Sequence, residues 1–344
     1  MAKCPPCFTG LACKTRYNFL ALAWAPSMSA DIIHTVDDSE KSKLSTVYVT
    51  VVTVIVIISI INNLMTLETA FCRKIRITPC GLYLIFNCIC CLISIILVEI
   101  LVVLMLFDHN LFFCKYLTVI AKPLFGHLSL WISSFIAVER VLIECFNFSL
   151  FGTRNYSVIA TVLLFILMSL SNIHKIYFRQ LLTDPIIPTS TMCTFLYSNN
   201  WKTFDKIMNH LHLIVPCLIH LLSTSFVLQS IVRQKVYLAC ASSHQFWPTY
   251  RKQLFNHKDF LIPPILIILC TIPHVLYIDI KMNDCVQARM KHFIRAHIAL
   301  ELLFYLPHTF TFFIYVYPAP VYRQEFYSTN IGRAWKYFTF QQEK

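Results

Sequence analysis

Seven long apolar segments constrain this chain more than any other feature of its sequence. Each is at least about 20 residues long, which is the length an α-helix needs to cross a bilayer core. β-Strands usually end after about 10 residues, and a helix satisfies its own backbone hydrogen bonds in lipid. The pattern therefore predicts an all-α membrane protein, a seven-transmembrane helix bundle. Its predicted helices cover residues 47–71, 79–107, 113–138, 157–178, 207–232, 260–280 and 293–317.

Composition and segment spacing agree with a membrane location. The chain has 344 residues, of which 57% are hydrophobic and 13% are charged, whereas soluble domains carry about 25% charged residues. The connections leave no room for an extramembrane domain of ordinary size. We therefore predict an extracellular N-terminal segment over residues 1–46, a helix bundle over 47–317 and a cytoplasmic tail over 318–344.

The charge distribution favours one orientation in the membrane. Basic residues in short loops near helix ends stay on the cytoplasmic side, and Arg73, Lys74 and Arg76 follow the first predicted helix. This places the N-terminus outside the cell, in a multi-pass protein of the plasma membrane. The net charge of +12 suits loops beside anionic lipid headgroups, and we predict the lipid bilayer as a partner but no nucleic acid.

The residues that enzymes need do not form a recognisable pattern. The chain has only 5 glycines and no phosphate-binding glycine motif, and no Ser-His-Asp or paired-carboxylate pattern is visible. His210, His212 and His220 lie in the fifth predicted helix, but no nearby carboxylate or cysteine completes a metal site around them. We therefore predict no enzymatic activity, no cofactor and no metal.

Two cysteines are placed where a disulfide bond can form. Cys114 begins the third predicted helix, and Cys193 lies in the loop after the fourth, both on the outer side. The exterior of the cell is oxidising and permits a bridge, which would hold that loop over the bundle. The alternative is two unpaired thiols in a chain that has 15 cysteines.

The third predicted helix ends in a charged motif. Glu139, Arg140 and Val141 close the stretch WISSFIAVERVL, and Arg140 follows Cys114 by 26 residues. In these features the chain resembles the rhodopsin-like (class A) G-protein-coupled receptors, whose third helix begins with the bridging cysteine and ends in Asp/Glu-Arg-Tyr. Valine replaces the tyrosine here, and the spacing is one residue longer than usual.

Other positions resemble the same family. Asn63 matches the asparagine of the first helix, and Pro216 matches the proline of the fifth. Cys270 and Pro273 look like the ends of the sixth-helix Cys-Trp-x-Pro motif, and Tyr315 is the residue retained from Asn-Pro-x-x-Tyr. Residues 318–326 resemble the amphipathic eighth helix, with Tyr322 and Phe326 able to face lipid.

Departures from the family pattern make this a divergent member. The second helix lacks the aspartate that helps to bind sodium, and Thr271 stands in place of the sixth-helix tryptophan. The resemblance still implies a receptor that couples to a heterotrimeric G protein. It implies that Glu139 and Arg140 serve coupling, and that Pro216, Cys270, Pro273 and Tyr315 form the conformational switch.

Three charged residues lie within the predicted membrane segments and suggest a ligand pocket. Charges in a membrane are costly and usually face the bundle interior or water. Glu99, Lys122 and Glu301 lie in the outer halves of the second, third and seventh predicted helices. One interpretation is that Lys122 pairs with a glutamate and holds helices together. The other is that Lys122 receives an anionic group of an extracellular ligand, either a peptide or a small molecule.

A second functional class stays open at this point. A multi-pass transporter or an inverted-topology chemoreceptor channel would also have many apolar helices. Transporters often show inverted repeats and glycine- or proline-broken helix pairs, and no repeat is visible here. Inverted topology would put the glycosylation sequons at Asn147 and Asn155 outside the cell.

Overall fold

The computed structural model describes residues 8–9, 15–16, 27–28, 31–32, 35, 37–107, 113–146, 150–183, 191–195, 197–238, 250–251, 258–281 and 291–341. Long α-helices dominate this part of the chain, so the prediction of an all-α membrane protein is confirmed. The main helices are α1 (Asp38–Phe71), α2 (Pro79–Phe107), α3 (His127–Phe146), α4 (Leu150–Phe178), α5 (Asn199–Leu238), α6 (Lys258–Lys281), α7 (Lys291–Thr309), α8 (Pro320–Ser328) and α9 (Asn330–Gln341).

Two short antiparallel strand pairs accompany these helices. The first pairs β1 (Phe8–Thr9) with β2 (Thr15–Arg16). The second pairs β3 (Arg179–Thr183) with β4 (Thr191–Phe195), and it places Leu181 opposite Cys193. Because β3 follows α4 directly, the second pair forms a hairpin in the connection between α4 and α5.

Helix α1 begins at Asp38, before the apolar run that predicted a start at residue 47. The Asp37 side chain accepts a hydrogen bond of 3.0 Å from the backbone N–H of Ser39, which satisfies one of the free donors at the helix start. Asp38 and Glu40 occupy the first turn, where negative charge is favourable. The cap therefore assigns residues 38–46 to the helix and not to the N-terminal segment.

The connection from α1 to α2 is a close turn that needs glycine. A single helical turn (Arg73–Arg76) comes first, and α2 then begins with Pro79, a residue favoured at the first helical position. A Cβ atom at Gly81 would lie 2.1 Å from the carbonyl oxygen of Ile75. Any other residue would force these two backbones apart, so glycine is required at this position.

The helical stretch that leads into α3 is underwound into π-helix. Residues Phe113–Leu117 and Ile120–Gly126 are π-helical, and Pro123 lies inside the second segment. Proline has no N–H to donate and interrupts regular α-helical bonding. The Asn172 side chain of α4 donates a hydrogen bond of 3.2 Å to the carbonyl of Pro123, so α4 supports the irregular segment.

Within the described residues, five helices, α1 to α5, are long and apolar enough to cross a membrane. The apolar part of α6 is shorter and covers Leu261–Tyr277, while α7 contains the charged residues Arg295 and Glu301. By length and composition the protein is therefore a multi-pass membrane protein. The sixth and seventh predicted segments are helices, and their crossing of a membrane stays a prediction.

The outward surface of the helices is apolar. In α4 the side chains of Ile159, Leu163, Leu167 and Leu170 are each at least 54% exposed. A soluble monomer rarely exposes a contiguous apolar patch of this kind. The surface is suited to contact with lipid chains.

The helices pack into a closed ring. Helix α2 packs on α1 and α3, α5 packs on α3 and α6, and α7 packs on α6 and returns to α1 and α2. Helix α4 lies outside the ring, against α2 and α3. The interior of the ring contains the buried polar groups of the molecule's candidate sites.

The two ends of the bundle differ in what covers them. We call the end that carries Met28 and Asp31 the upper end, and the end that carries Arg73–Arg76 and α8 the lower end. Met28 is buried in one apolar cluster with Val52. A second cluster at the lower end contains Phe326 of α8.

Helix α8 lies where the amphipathic eighth helix was predicted, but it turns an aromatic side chain inward. Phe326 is 1% exposed and its ring centroid lies 4.6 Å from that of Phe312. The prediction that Phe326 faces lipid is therefore wrong, because it fills the lower end of the core. Tyr322 is half-buried against the same cluster.

Candidate functional site

A cleft opens at the lower end of the bundle beside Arg140. Four residues of α3, at spacings of three and four, turn one helix face into this cleft. The empty space in and over the cleft, which includes open solvent, is about 320 Å³. Helices α5 and α6 form the opposite walls. The lining residues are Ser133, Ile136, Ala137, Arg140, His220, Ser223, Thr224, Val227, Pro263, Pro264 and Tyr315.

A buried hydrogen-bond network closes the deep end of the cleft. Ser133 of α3 bonds the ring Nε2 of His220 in α5 at 3.0 Å. The same hydroxyl bonds the phenol of Tyr315, which lies in the π-helical turn Phe312–Val316 after α7. Ser133 thereby joins three parts of the bundle at one point. The sequence motifs identified Tyr315 in this network but neither of its partners.

The two residues of the charged motif have different surroundings. Glu139 is buried, with 5% of its surface exposed, whereas Arg140 is half-buried and lines the cleft. Residues Ser157 and Thr161 of α4 and Tyr83 of α2 are also buried at this end.

Three of the four predicted switch residues lie inside α5 and α6. Pro216 lies inside α5, and Pro273 lies inside α6 with Pro263 and Pro264. A proline inside a helix removes one backbone hydrogen bond and permits a bend. Cys270 precedes Pro273 by one turn and is 4% exposed. Helix α6 thus has proline both at the cleft and in its upper half.

Asn63 connects α1 to the end of α7. Its side-chain amide donates to the carbonyl oxygens of Ser59 and His308 at 2.8 and 2.9 Å. Its oxygen accepts a hydrogen bond of 3.1 Å from the Thr311 hydroxyl, and Thr311 also contacts Thr66 of α1 at 3.2 Å. The residue that resembles the first-helix asparagine therefore lies beside the remnant of the Asn-Pro-x-x-Tyr motif.

The residues predicted to form the ligand pocket have separate contacts. Glu99 accepts a hydrogen bond of 2.6 Å from Thr53 of α1. Glu301 is 1% exposed, and its Oε1 atom lies 3.3 Å from Nε2 of His274 and 3.6 Å from Nε2 of His297. The side chain of Lys122 lies outside the described residues, so its pairing with either glutamate stays a prediction.

The two histidines beside Glu301 were missed by the sequence analysis. His297 precedes Glu301 by four residues on α7, a spacing that puts both on one helix face and that could have been noticed. His274 lies on α6 and gives no local signal, because only the packing of α6 against α7 brings it to Glu301.

Residues 27–28, 31–32 and 35 lie over the upper end of the bundle. Ser27, Met28 and Asp31 are fully buried. The Asp31 carboxylate accepts hydrogen bonds from Arg295 of α7 at 3.1 Å and from the Tyr48 hydroxyl of α1 at 2.6 Å. This part of the chain is therefore attached to the upper ends of α1 and α7, above the predicted pocket.

The hairpin of β3 and β4 is attached to the start of the third helical stretch. Arg179 is 3% exposed and donates a hydrogen bond to the Thr118 hydroxyl. The Arg179 guanidinium also lies over the Phe195 ring at 4.6 Å. Burial lowers the pKa of Arg179 to about 10, which leaves the residue charged at neutral pH.

Cys114 lies beside this hairpin and is disulfide-bonded. It is fully buried in the same apolar cluster against which Leu181 of β3 packs. Leu181 is opposite Cys193 in the hairpin. The side chain of Cys193 lies outside the described residues, so the bridge between Cys114 and Cys193 stays a prediction.

A buried ionic cluster joins α4 to α5 near their upper ends. Asp205 lies 2.9 Å from Nε2 of His174 and 3.6 Å from the Lys175 ammonium, which donates to Asn209 at 2.7 Å. The His174 ring stacks on Trp201 with centroids 6.0 Å apart. The sequence analysis did not identify this cluster. Its contacts hold α4 and α5 together.

The histidines of α5 are dispersed among different partners. His212 lies 3.0 Å from the Ser171 hydroxyl, and His210 contacts the Lys206 carbonyl at 2.6 Å. His220 bonds Ser133 in the cleft, as described above.

Comparison with known protein families found no family model that matches the chain, and comparison with curated proteins found no match.

Proposed function

We propose that the protein is a G-protein-coupled receptor of the plasma membrane with its N-terminus outside the cell. An extracellular peptide or anionic small molecule binds in the outer half of a seven-transmembrane helix bundle. Glu99, Lys122 and Glu301 contribute to that pocket. Arg140 and Glu139 then engage a heterotrimeric G protein at the cytosolic face.

The cleft beside Arg140 carries this proposal. A guanidinium has several fixed donors and a permanent charge, and it lies here between α3, α5 and α6. A G protein that approached the lower end would meet Arg140 in this cleft. The charged motif from which coupling was predicted therefore contributes a residue, Arg140, to the lining of this cleft.

The arrangement of the chain ends supports the same topology. Asp31 contacts α1 and α7 at the upper end, whereas Glu325 of α8 accepts a hydrogen bond of 2.7 Å from Lys74 at the lower end. Chain ends on opposite sides require an odd number of crossings. Helices α1 to α5 together with α6 and α7 satisfy that requirement.

Helix α6 contains prolines at which it can bend. Pro273 supplies a bend in its upper half, while Pro263 and Pro264 lie at the cleft. A ligand that binds the open bundle more tightly shifts the population towards that state. Outward movement of the lower end of α6 widens the cleft and exposes Arg140. Tyr315, which is bonded to Ser133, responds to the same movement.

Replacement of Arg140 tests the proposal. We expect Arg140→Ala to abolish agonist-dependent nucleotide exchange by a G protein, because the cleft loses its cation. Surface expression should be preserved, since Arg140 is only half-buried. Exchange is measured with a panel of candidate ligands and G proteins in membranes that contain the parent chain.

Arg333→Ala is the matched control, because Arg333 is an exposed arginine of α9 outside the cleft. It should retain exchange. Full exchange in Arg140→Ala at equal surface expression would refute the proposed mechanism.

A further inference from the structure

Three side chains that commonly bind metals meet between α6 and α7. They are His274 of α6 with His297 and Glu301 of α7, and none is more than 2% exposed. Their ligating atoms all lie within 4.8 Å of one another. We propose that these three residues bind one Zn²⁺ ion, which links α6 to α7. The site shares Glu301 with the proposed ligand pocket, but metal binding can be measured without any receptor activity.

The donor atoms suit zinc. Zinc takes imidazole nitrogen and carboxylate oxygen at about 2.0–2.2 Å in tetrahedral geometry, which sets ligand atoms roughly 3.3–3.6 Å apart. Oε1 of Glu301 lies 3.3 Å from Nε2 of His274 and 3.6 Å from Nε2 of His297. Two of the distances between ligand atoms therefore already match those of a tetrahedral zinc site. Magnesium and calcium prefer six or more oxygen ligands, so this donor set disfavours them.

A supporting hydrogen bond orients one of the ligands. Ser27 Oγ lies 3.0 Å from Nδ1 of His297, and Ser27 is fully buried. Histidines that bind metals usually have a partner on the second ring nitrogen, which fixes the ring and its tautomer. The Ser27 contact leaves Nε2 of His297 directed at Glu301. The hydrogen bond that orients His297 thus comes from Ser27, which lies outside α6 and α7.

The electrostatics of the cluster favour a divalent cation. Glu301 is buried beside the core residues Ile298 and Phe304, where an isolated carboxylate is costly. A zinc ion adds two positive charges at this point. The carboxylate has two oxygens, so coordination through Oε1 is compatible with the pairing predicted for Lys122.

The position of the cluster gives the metal a mechanical effect. His274 directly follows Pro273, where α6 can bend, while His297 and Glu301 belong to α7. A bound ion holds the upper half of α6 against α7 and leaves the lower half free to move. Because the metal binds this packed arrangement, it also raises the stability of the folded chain.

Zinc binding by the purified full-length chain tests the proposal. The chain is stripped with a chelator in detergent, and bound zinc is then counted by equilibrium dialysis and elemental analysis. We expect one zinc per chain and a higher thermal unfolding midpoint with zinc present. His274→Gln, His297→Gln and Glu301→Gln should each lose both effects. His212→Gln should keep them, because it alters a buried histidine outside the cluster.

Two further measurements keep the test decisive if a ligand variant fails to fold. Ser27→Ala keeps all three ligands, and we expect it to weaken zinc binding about 10- to 100-fold. Cobalt added to the parent chain should give the absorption of a tetrahedral nitrogen and oxygen site. Absence of zinc binding by the folded parent chain would overturn the proposal. Equal loss of binding in His212→Gln and Glu301→Gln would also overturn it.

Discussion

Individual polar residues hold this bundle together where apolar contacts alone would not specify its geometry. Asn63 is fully buried and bonds groups in α1 and at the end of α7. Asp205 joins His174 and Lys175 of α4 to α5. Side chains that pair across helices restrict the sliding of one helix along another, because each displacement leaves a polar group unsatisfied in an apolar interior.

The contribution of Asn63 can be measured by truncation. We expect Asn63→Ala to lower the free energy of unfolding by about 1–3 kcal/mol, because buried partners on two helices lose their hydrogen bonds. Thermal unfolding in detergent micelles measures the effect.

Asn62→Ala is the matched control, since the Asn62 amide bonds the Ile58 carbonyl within its own helix. It should cost less than Asn63→Ala. Equal losses in the two variants would show that the link between α1 and α7 does not stabilise the fold.

At the scale of elements, the C-terminal helices dock on the lower end of α1. Phe326 of α8 packs on Phe312. Glu68 of α1 accepts hydrogen bonds of 3.0 and 3.3 Å from the backbone N–H groups of Asn330 and Ile331, at the start of α9. A carboxylate at a helix N-terminus satisfies free donors and suits the positive end of the helix dipole. Helix α9 is therefore held by its first turn.

Removal of the Glu68 charge should loosen α9 selectively. We expect Glu68→Gln to destabilise the docked helix by about 0.3–1 kcal/mol, and hydrogen exchange to become faster in residues 330–341 than in the parent chain. Mass spectrometry of the chain in detergent follows this exchange peptide by peptide.

Glu325→Gln is the control in the same region. It removes a pair with the exposed Lys74 and leaves the α9 cap in place, so exchange of α9 should not change. Faster exchange of α9 in this variant alone would place the docking interaction at Glu325.

At the scale of the whole molecule, the helices form a closed ring with covered ends. The upper end carries residues 27–28, 31–32 and 35 and the hairpin of β3 and β4, which is attached through Arg179. The lower end carries α8, α9 and the Arg140 cleft. The two ends of the bundle therefore carry different parts of the chain.

The proposed topology predicts how epitope tags at the two chain ends behave in intact cells. An antibody should reach a tag at the N-terminus without permeabilisation, and a tag at the C-terminus only after it. Asn155, whose side chain is exposed, should carry no glycan. Tags on one side would contradict an odd number of crossings. A glycan on Asn155 would support the inverted topology.

Much of the fold followed from local pattern. The apolar runs predicted where α1 to α7 lie, because a helix must satisfy its own backbone in lipid and needs about 20 apolar residues to cross. The start of α1 was misplaced, since the Asp37 cap is a polar signal outside the apolar run. The motif around Arg140 lies on the part of α3 that lines the cleft, but the cleft itself was not predicted from the sequence.

The sequence by itself determined the all-helical membrane class and the places of the helices. It also identified candidate functional residues such as Arg140, Tyr315 and Glu301. Only the tertiary structure decided which groups those residues meet. His274 reaches Glu301 because α6 packs on α7, and Phe326 turns inward because Phe312 lies beneath it. The physical reason is that helix formation depends on neighbours along the chain, whereas these contacts depend on how helices far apart in sequence pack.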